Sequence, residues 1–124
     1  MTRQEFIIDT LKPYLLDSSL CAVKNGQCKY RTGDGRMCAV GKHIKEYQDR
    51  FDNDHFLLDQ LLAVPDVLTP EAAAQNLHGY QWGSIQAVHD RIGLEDLSKI
   101  VAVEINRVER LCEVDLTELK ELLK

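Results

Sequence analysis

Two stretches of this chain concentrate residues able to do chemistry: Cys28 to His43, with Tyr30, Arg31, Asp34, Arg36 and Cys38 between them, and Trp82 to Asp90, with Gln86 and His89. A cysteine and a histidine sharing a pocket make a nucleophile and its base. One expectation is therefore a hydrolase or transferase in which Cys38 attacks and His89 takes the proton. Gln86, three residues before His89, lies on the same helical face and is the better orienting or oxyanion group, because adjacent side chains such as Asp90 diverge by about 100°. Tyr30, Arg31 and Arg36 instead offer an aromatic ring and two guanidinium groups to a phosphate or carboxylate. On a merely solvated hairpin, Arg31 would pair with Asp34. Thiolates and imidazoles also suit zinc, through Cys28, Cys38, His43 and His89. None of the four cysteines forms a C-x-x-C pair, so neither metal nor cofactor is expected. Free cysteine packs as a small buried hydrophobe, the plainest role for Cys21, Cys28, Cys38 and Cys112. Trp82 likewise suits a core better than a stacking platform.

Positioning these groups requires particular elements. Thr2 followed by Glu5 is a capping-box pattern, and Phe6, Ile7, Ile8, Leu11, Tyr14 and Leu15 form an apolar stripe, so a helix is expected over 3–16, kinked or cut short at Pro13. From Leu20 the pattern alternates. Asn25-Gly26 is a hairpin signal, Gly33-Asp34-Gly35 a second turn, and Met37 to Val40 a short apolar run, which together predict a three-stranded antiparallel meander over about 20–40. A helix start at Cys38 is the alternative. The register decides the chemistry: a turn centred on Gly33 sets Cys28 opposite Cys38, whereas an Asp34-Gly35 turn sets Cys38 opposite Arg31, whose charge would favour the thiolate.

The rest of the chain reads as helical. Asp52, Asn53 and Asp54 precede an apolar run from Phe56 to Leu62 that Pro65 stops, and Thr69-Pro70-Glu71 is a cap followed by a first-turn proline. A further helix spans Trp82 to Ile92 and ends at Gly93. Leu97, Ile100, Val101, Glu104, Ile105, Val108, Leu111 and Cys112 continue at helical spacing, and Asp115 caps a last helix carrying Leu116, Leu119, Leu122 and Leu123. The expected fold is α+β, the meander packed on five to six helices as one domain over 1–124.

Composition narrows the function classes. The 124 residues carry 44% hydrophobic and 28% charged side chains, as an ordinary globular protein does. Fifteen basic against twenty acidic residues give −5, which argues against general nucleic-acid binding. The chain has no apolar run of membrane-spanning length, and Met1 to Glu5 lacks a secretory pattern, so a cytoplasmic protein with reduced thiols is expected.

Cys28 to Gly41 reads C-K-Y-R-T-G-D-G-R-M-C-A-V-G, and Ile85 to Asp90 reads I-Q-A-V-H-D. The pairing resembles small phage and bacterial accessory proteins of unassigned function that carry C-x-Y-R-x-x-D-G-x-x-C-A-V-G followed by L-Q-x-x-H-D, with Ile85 in place of Leu. The resemblance implies a phage-type accessory protein in the host cytoplasm and supplies no activity. It favours a binding or inhibitory module directed at a host protein or small ligand through the hairpin and the His89 helix. The binding set is Tyr30, Arg31, Asp34, Arg36, His43, Trp82, Gln86, His89 and Asp90. The alternatives are the Cys38/His89 enzyme, with Gln86 as its third group, and a motif that is purely structural. A helix stripe of Trp82, Ile85, Val88 or His89, and Ile92 should cover the hairpin, so the two motifs are expected to meet.

Overall fold

The computed structural model describes the chain except Asn25, 95–97, Lys124 and the side chains of Leu94 and Ser98. Its first helix, α1 (Arg3–Leu16), begins where the capping box places it: Thr2 Oγ1 accepts from Glu5 N, and Thr2 N donates to Glu5 Oε1 at 2.8 Å. Phe6, Ile7, Thr10, Leu11 and Tyr14 are its buried face. Pro13 does not cut it short; the helix runs three residues further, and Asp17 N–H closes on the Pro13 carbonyl.

Among the described residues the three-stranded meander is not present; the sheet has two strands. Strands β1 (Val23–Lys24) and β2 (Gln27–Cys28) pair antiparallel with Lys24 opposite Gln27, and Gly26 at φ +75 supplies the left-handed turn residue. Asn25, the other half of that turn signal, lies outside the described residues. Beyond Cys28 the chain meets the 37–40 segment only through one isolated bridge, Arg31 to Met37. That register sets Cys38 N–H on the Tyr30 carbonyl at 3.1 Å, so Cys38 faces neither Cys28 nor Arg31. The expected third strand fails because its backbone bonds elsewhere. Val40 N–H goes to the Gln86 side chain and Gly41 N–H to Cys38 Sγ, and the chain coils into a 3-10 turn at Gly41–His43. Gly41 also lies so close to the hairpin that a Cβ there would sit 2.0 Å from the Tyr30 carbonyl oxygen.

The protein is therefore mostly helical. Among the described residues the remaining helices are α2 (Arg50–Asn53), α3 (Leu58–Leu62), α4 (Pro70–Ala73), α5 (Gly79–Leu94), α6 (Ser98–Cys112) and α7 (Thr117–Glu121). Thr69 caps α4 through its hydroxyl, and Asp115 accepts from Thr117 N–H at the start of α7. Asp52, Asn53 and Asp54 do not cap α3. Asp52 and Asn53 belong to α2, His55 at φ +51 reverses the chain, and α3 starts after Leu57.

Helix α5 is the hub and lies against α6, α1, α3 and β1. It begins three residues before Trp82, where Gln81 Oε1 accepts from His78 N–H. It also runs through Gly93 instead of ending there. A Cβ at Gly93 would sit 2.6 Å from Val23 Cγ2, so this glycine lets the hairpin lie on the helix. The buried apolar residues of α1, α5, α6 and α7 form one contiguous cluster with Cys21 to Ala22 and Cys38 to Val40; Leu97, expected to join it, lies outside the described residues. No described helix is long and apolar enough to cross a membrane.

Candidate functional site

The 28–41 and 86–90 motifs meet where α5 passes under the hairpin. His89 is fully buried. Its Nε2 lies 3.1 Å from Ala22 N, and since a backbone amide can only donate, Nε2 must be the acceptor. The proton of the neutral ring therefore sits on Nδ1, which is 2.8 Å from Asp90 Oδ1. Gln86 Nε2 donates to the same carboxylate oxygen at 2.8 Å, and Gln86 Oε1 accepts from Val40 N at 3.0 Å. One glutamine thus ties the 38–41 turn to the His89–Asp90 pair. Adjacent side chains do converge here, against the helical-divergence expectation, because the Asp90 carboxylate swings back onto Nδ1.

This arrangement engages the two groups the catalytic reading invokes in hydrogen bonds to the backbone. The lone pair of His89 that would take a proton is occupied by Ala22. Cys38 has no exposed surface, and its Sγ accepts from Gly41 N–H at 3.1 Å. Burial pushes its thiol up to about 12, with the Gly41 and Val40 amides opposing the rise. Cys28 is half-buried; burial first, and then Asp90, raises it to about 12 as well.

Asp52, read in the sequence only as a helix cap, closes the frame from the other side. Oδ1 accepts from Tyr30 N at 2.9 Å, and Oδ2 accepts from Arg31 N at 3.0 Å and from the Tyr47 hydroxyl. The Tyr30 hydroxyl donates to the Phe56 carbonyl at 2.8 Å. Between these walls lies an open cleft of about 380 Å³ whose lining includes Cys28, Tyr30, Asp52, His55, Phe56 and Asp90. Gln86 and Cys38 reach its floor.

The other sequence-derived candidates are dispersed. Asp34 pairs with Arg36 through both carboxylate oxygens, at 3.1 and 3.0 Å, and not with Arg31; the Thr32 hydroxyl, then Arg36, hold its carboxyl down to about 2. Arg36 also donates to the Cys21 carbonyl, which makes it a brace. Arg31 lies over the Tyr47 ring, 5.1 Å from its centroid. His43 contacts Thr10 Oγ1 through Nε2 at 2.9 Å and packs at a tilt against Phe6, in a separate hollow with Asp9 and Glu71. Trp82 is a core residue packed edge-on against Phe6. Among the described residues no three His, Cys, Asp or Glu side chains converge as a metal-ligand set, and the proposed zinc quartet is not brought together.

No protein-family model, curated protein or solved structure matches this chain. His55, Phe56 and Asp52 were not identifiable as site residues from sequence, because what brings them to the cleft is the chain reversal at His55 and not any spacing.

Proposed function

We propose that this chain is a small-ligand binding module in which the two motifs build the frame and the 380 Å³ cleft is the binding site. The observation that carries the reading is that the polar atoms of Gln86, His89, Asp90 and Cys38 bond to one another or to backbone N–H groups, so they hold shape and offer no free nucleophile or base. A concavity of that volume with aromatic walls and a few polar groups suits a small molecule better than the flat face of a protein. Gln86 and His89 both bond to Asp90 Oδ1, and a carboxyl group at the cleft wall accepts from a ligand that presents an amine or amide donor. The phage-type accessory role follows from the resemblance of the Cys28–Gly41 and Ile85–Asp90 motifs. Action by occupancy is the corresponding mechanism.

The reading is tested by amide-detected magnetic resonance with a library of small aromatic amines. Bound fragments are expected to shift the amides of 27–30, 55–56 and 90, and to lose those shifts in His55→Ala, a change at an exposed cleft position. In parallel, iodoacetamide at neutral pH should leave Cys38 unmodified in the native protein. Fragment shifts that avoid the cleft, or Cys38 alkylated as fast as a free thiol, would overturn the binding reading in favour of the Cys38/His89 enzyme.

A further inference from the structure

A second opening, of about 530 Å³, lies beside the first and shares Gln27, Lys29 and Asp52 with it. Its lining brings together Lys24, Lys29 and Arg31. Two carboxylates share the opening, Asp49 and Asp52, but Asp52 is taken up by the Tyr30 and Arg31 backbone amides and the Tyr47 hydroxyl. Among the described residues no ion pair involves Lys24, Lys29 or Arg31. Arg31 is the least satisfied of the three: its Nε is buried without a hydrogen-bond partner, and the guanidinium is held against Tyr47. A buried donor without an acceptor is costly, and a guanidinium held on a ring keeps its two-pronged edge in one plane. That edge matches the paired oxygens of a phosphate or carboxylate.

We propose that this second opening is an oxyanion subsite, in which Arg31 makes the two-pronged contact after a small turn of its side chain and Lys24 and Lys29 supply further positive charge. The ligand class is a small molecule bearing a phosphate or carboxylate. Because Lys29 and Asp52 belong to both openings, a ligand anchored there reaches along Lys29 toward Asp90 and the aromatic wall of the first cleft; this extension rests on the binding reading above, whereas the subsite itself does not. Arg36, the other guanidinium suggested by the sequence, has no part in it, being paired with Asp34.

The test follows the Arg31 Nε–Hε resonance, assigned by its loss in Arg31→Lys, while inorganic phosphate and, separately, acetate are added against sodium chloride of equal ionic strength. Saturable shifts of that resonance and of the Lys24 and Lys29 amides with phosphate, acetate or both are expected. Phosphate alone marks a phosphoryl ligand, and acetate binding as well marks the carboxylate class. Arg31→Lys should weaken binding about tenfold through loss of the paired contact. If Arg31→Lys disturbs the fold, Lys24→Gln at its exposed position is expected to weaken phosphate binding by about two- to fivefold. His55→Ala, which touches only the first cleft, should leave phosphate binding unchanged, so failure of the binding reading and failure of the subsite are separable. Equal shifts with chloride, no shift at all, or undiminished affinity in both variants would overturn the subsite.

Discussion

His89 acts on this fold through its ring nitrogens, one accepting from Ala22 and the other donating to Asp90. Removing the ring would strand a buried amide and one donor of the Asp90 network, in addition to the edge-on contact with Tyr14. His89→Ala is therefore expected to lower the unfolding free energy by about 1–3 kcal/mol from the unsatisfied amide alone, read by urea denaturation. A variant as stable as the parent would mean that the Ala22 contact contributes nothing. Gln86→Ala should act on the other end of the same network, and faster hydrogen exchange at the Val40 amide is its direct signature.

At the scale of elements, a glycine of α5 and one of the 3-10 turn make opposite predictions. Gly83 sits within α5, and a Cβ there would meet only Leu58 Cδ2 at 3.7 Å, so Gly83→Ala should stabilise by about 0.5–1 kcal/mol through the helix-interior gain. Gly41 has the Tyr30 carbonyl where its Cβ would be, and Gly41→Ala should cost about 1–3 kcal/mol or more, because backbone must move. Paired thermal melts decide both; a gain at Gly41 would contradict its close approach to Tyr30, and a large loss at Gly83 would contradict the room between α5 and Leu58. The same contrast explains what the sequence made legible. The start of α1 and the cap before α4 were readable because each rests on local side-chain to backbone bonds, whereas the cap position of α7 is Leu116, one residue after the expected Asp115. The meeting of the two motifs was readable from the apolar stripe of α5. The third strand was misread because Met37 to Val40 looks apolar and extended, while the Val40 amide goes to Gln86, a partner 46 residues away, and the Gly41 amide turns back onto Cys38. Gly93 was misread as a terminator because a close approach and a helix end favour the same residue. Asp52 was misread as a cap because its actual partners lie more than twenty residues earlier in the chain, at Tyr30 and Arg31.

For the whole molecule, the buried titratable groups define a stability plateau. Burial, reinforced by Lys42, lowers His43 from an ordinary 6.5 to about 4, so between those values the unfolded chain binds the proton and the folded one does not. Stability is thus fully present above about 6.5 and falls as the pH drops toward 4. At the alkaline end Cys21, Cys28 and Cys38 are raised from 9 to about 11, 12 and 12, chiefly by burial, so the folded state keeps protons that the unfolded state has lost and stability falls as the pH rises past 9. Denaturation midpoints across pH should show that plateau, and His43→Gln should flatten its acidic shoulder; an unchanged shoulder would place the acid sensitivity elsewhere. The plateau, like the hairpin docking, depends on side chains that are held closed, and the central claim is that His89 belongs to that frame and is not a base. The most direct measurement is a long-range proton–nitrogen correlation spectrum of the histidine rings at neutral pH. It should show His89 as the Nδ1–H tautomer, with Nε2 unprotonated and accepting from Ala22. An Nε2–H tautomer would contradict it.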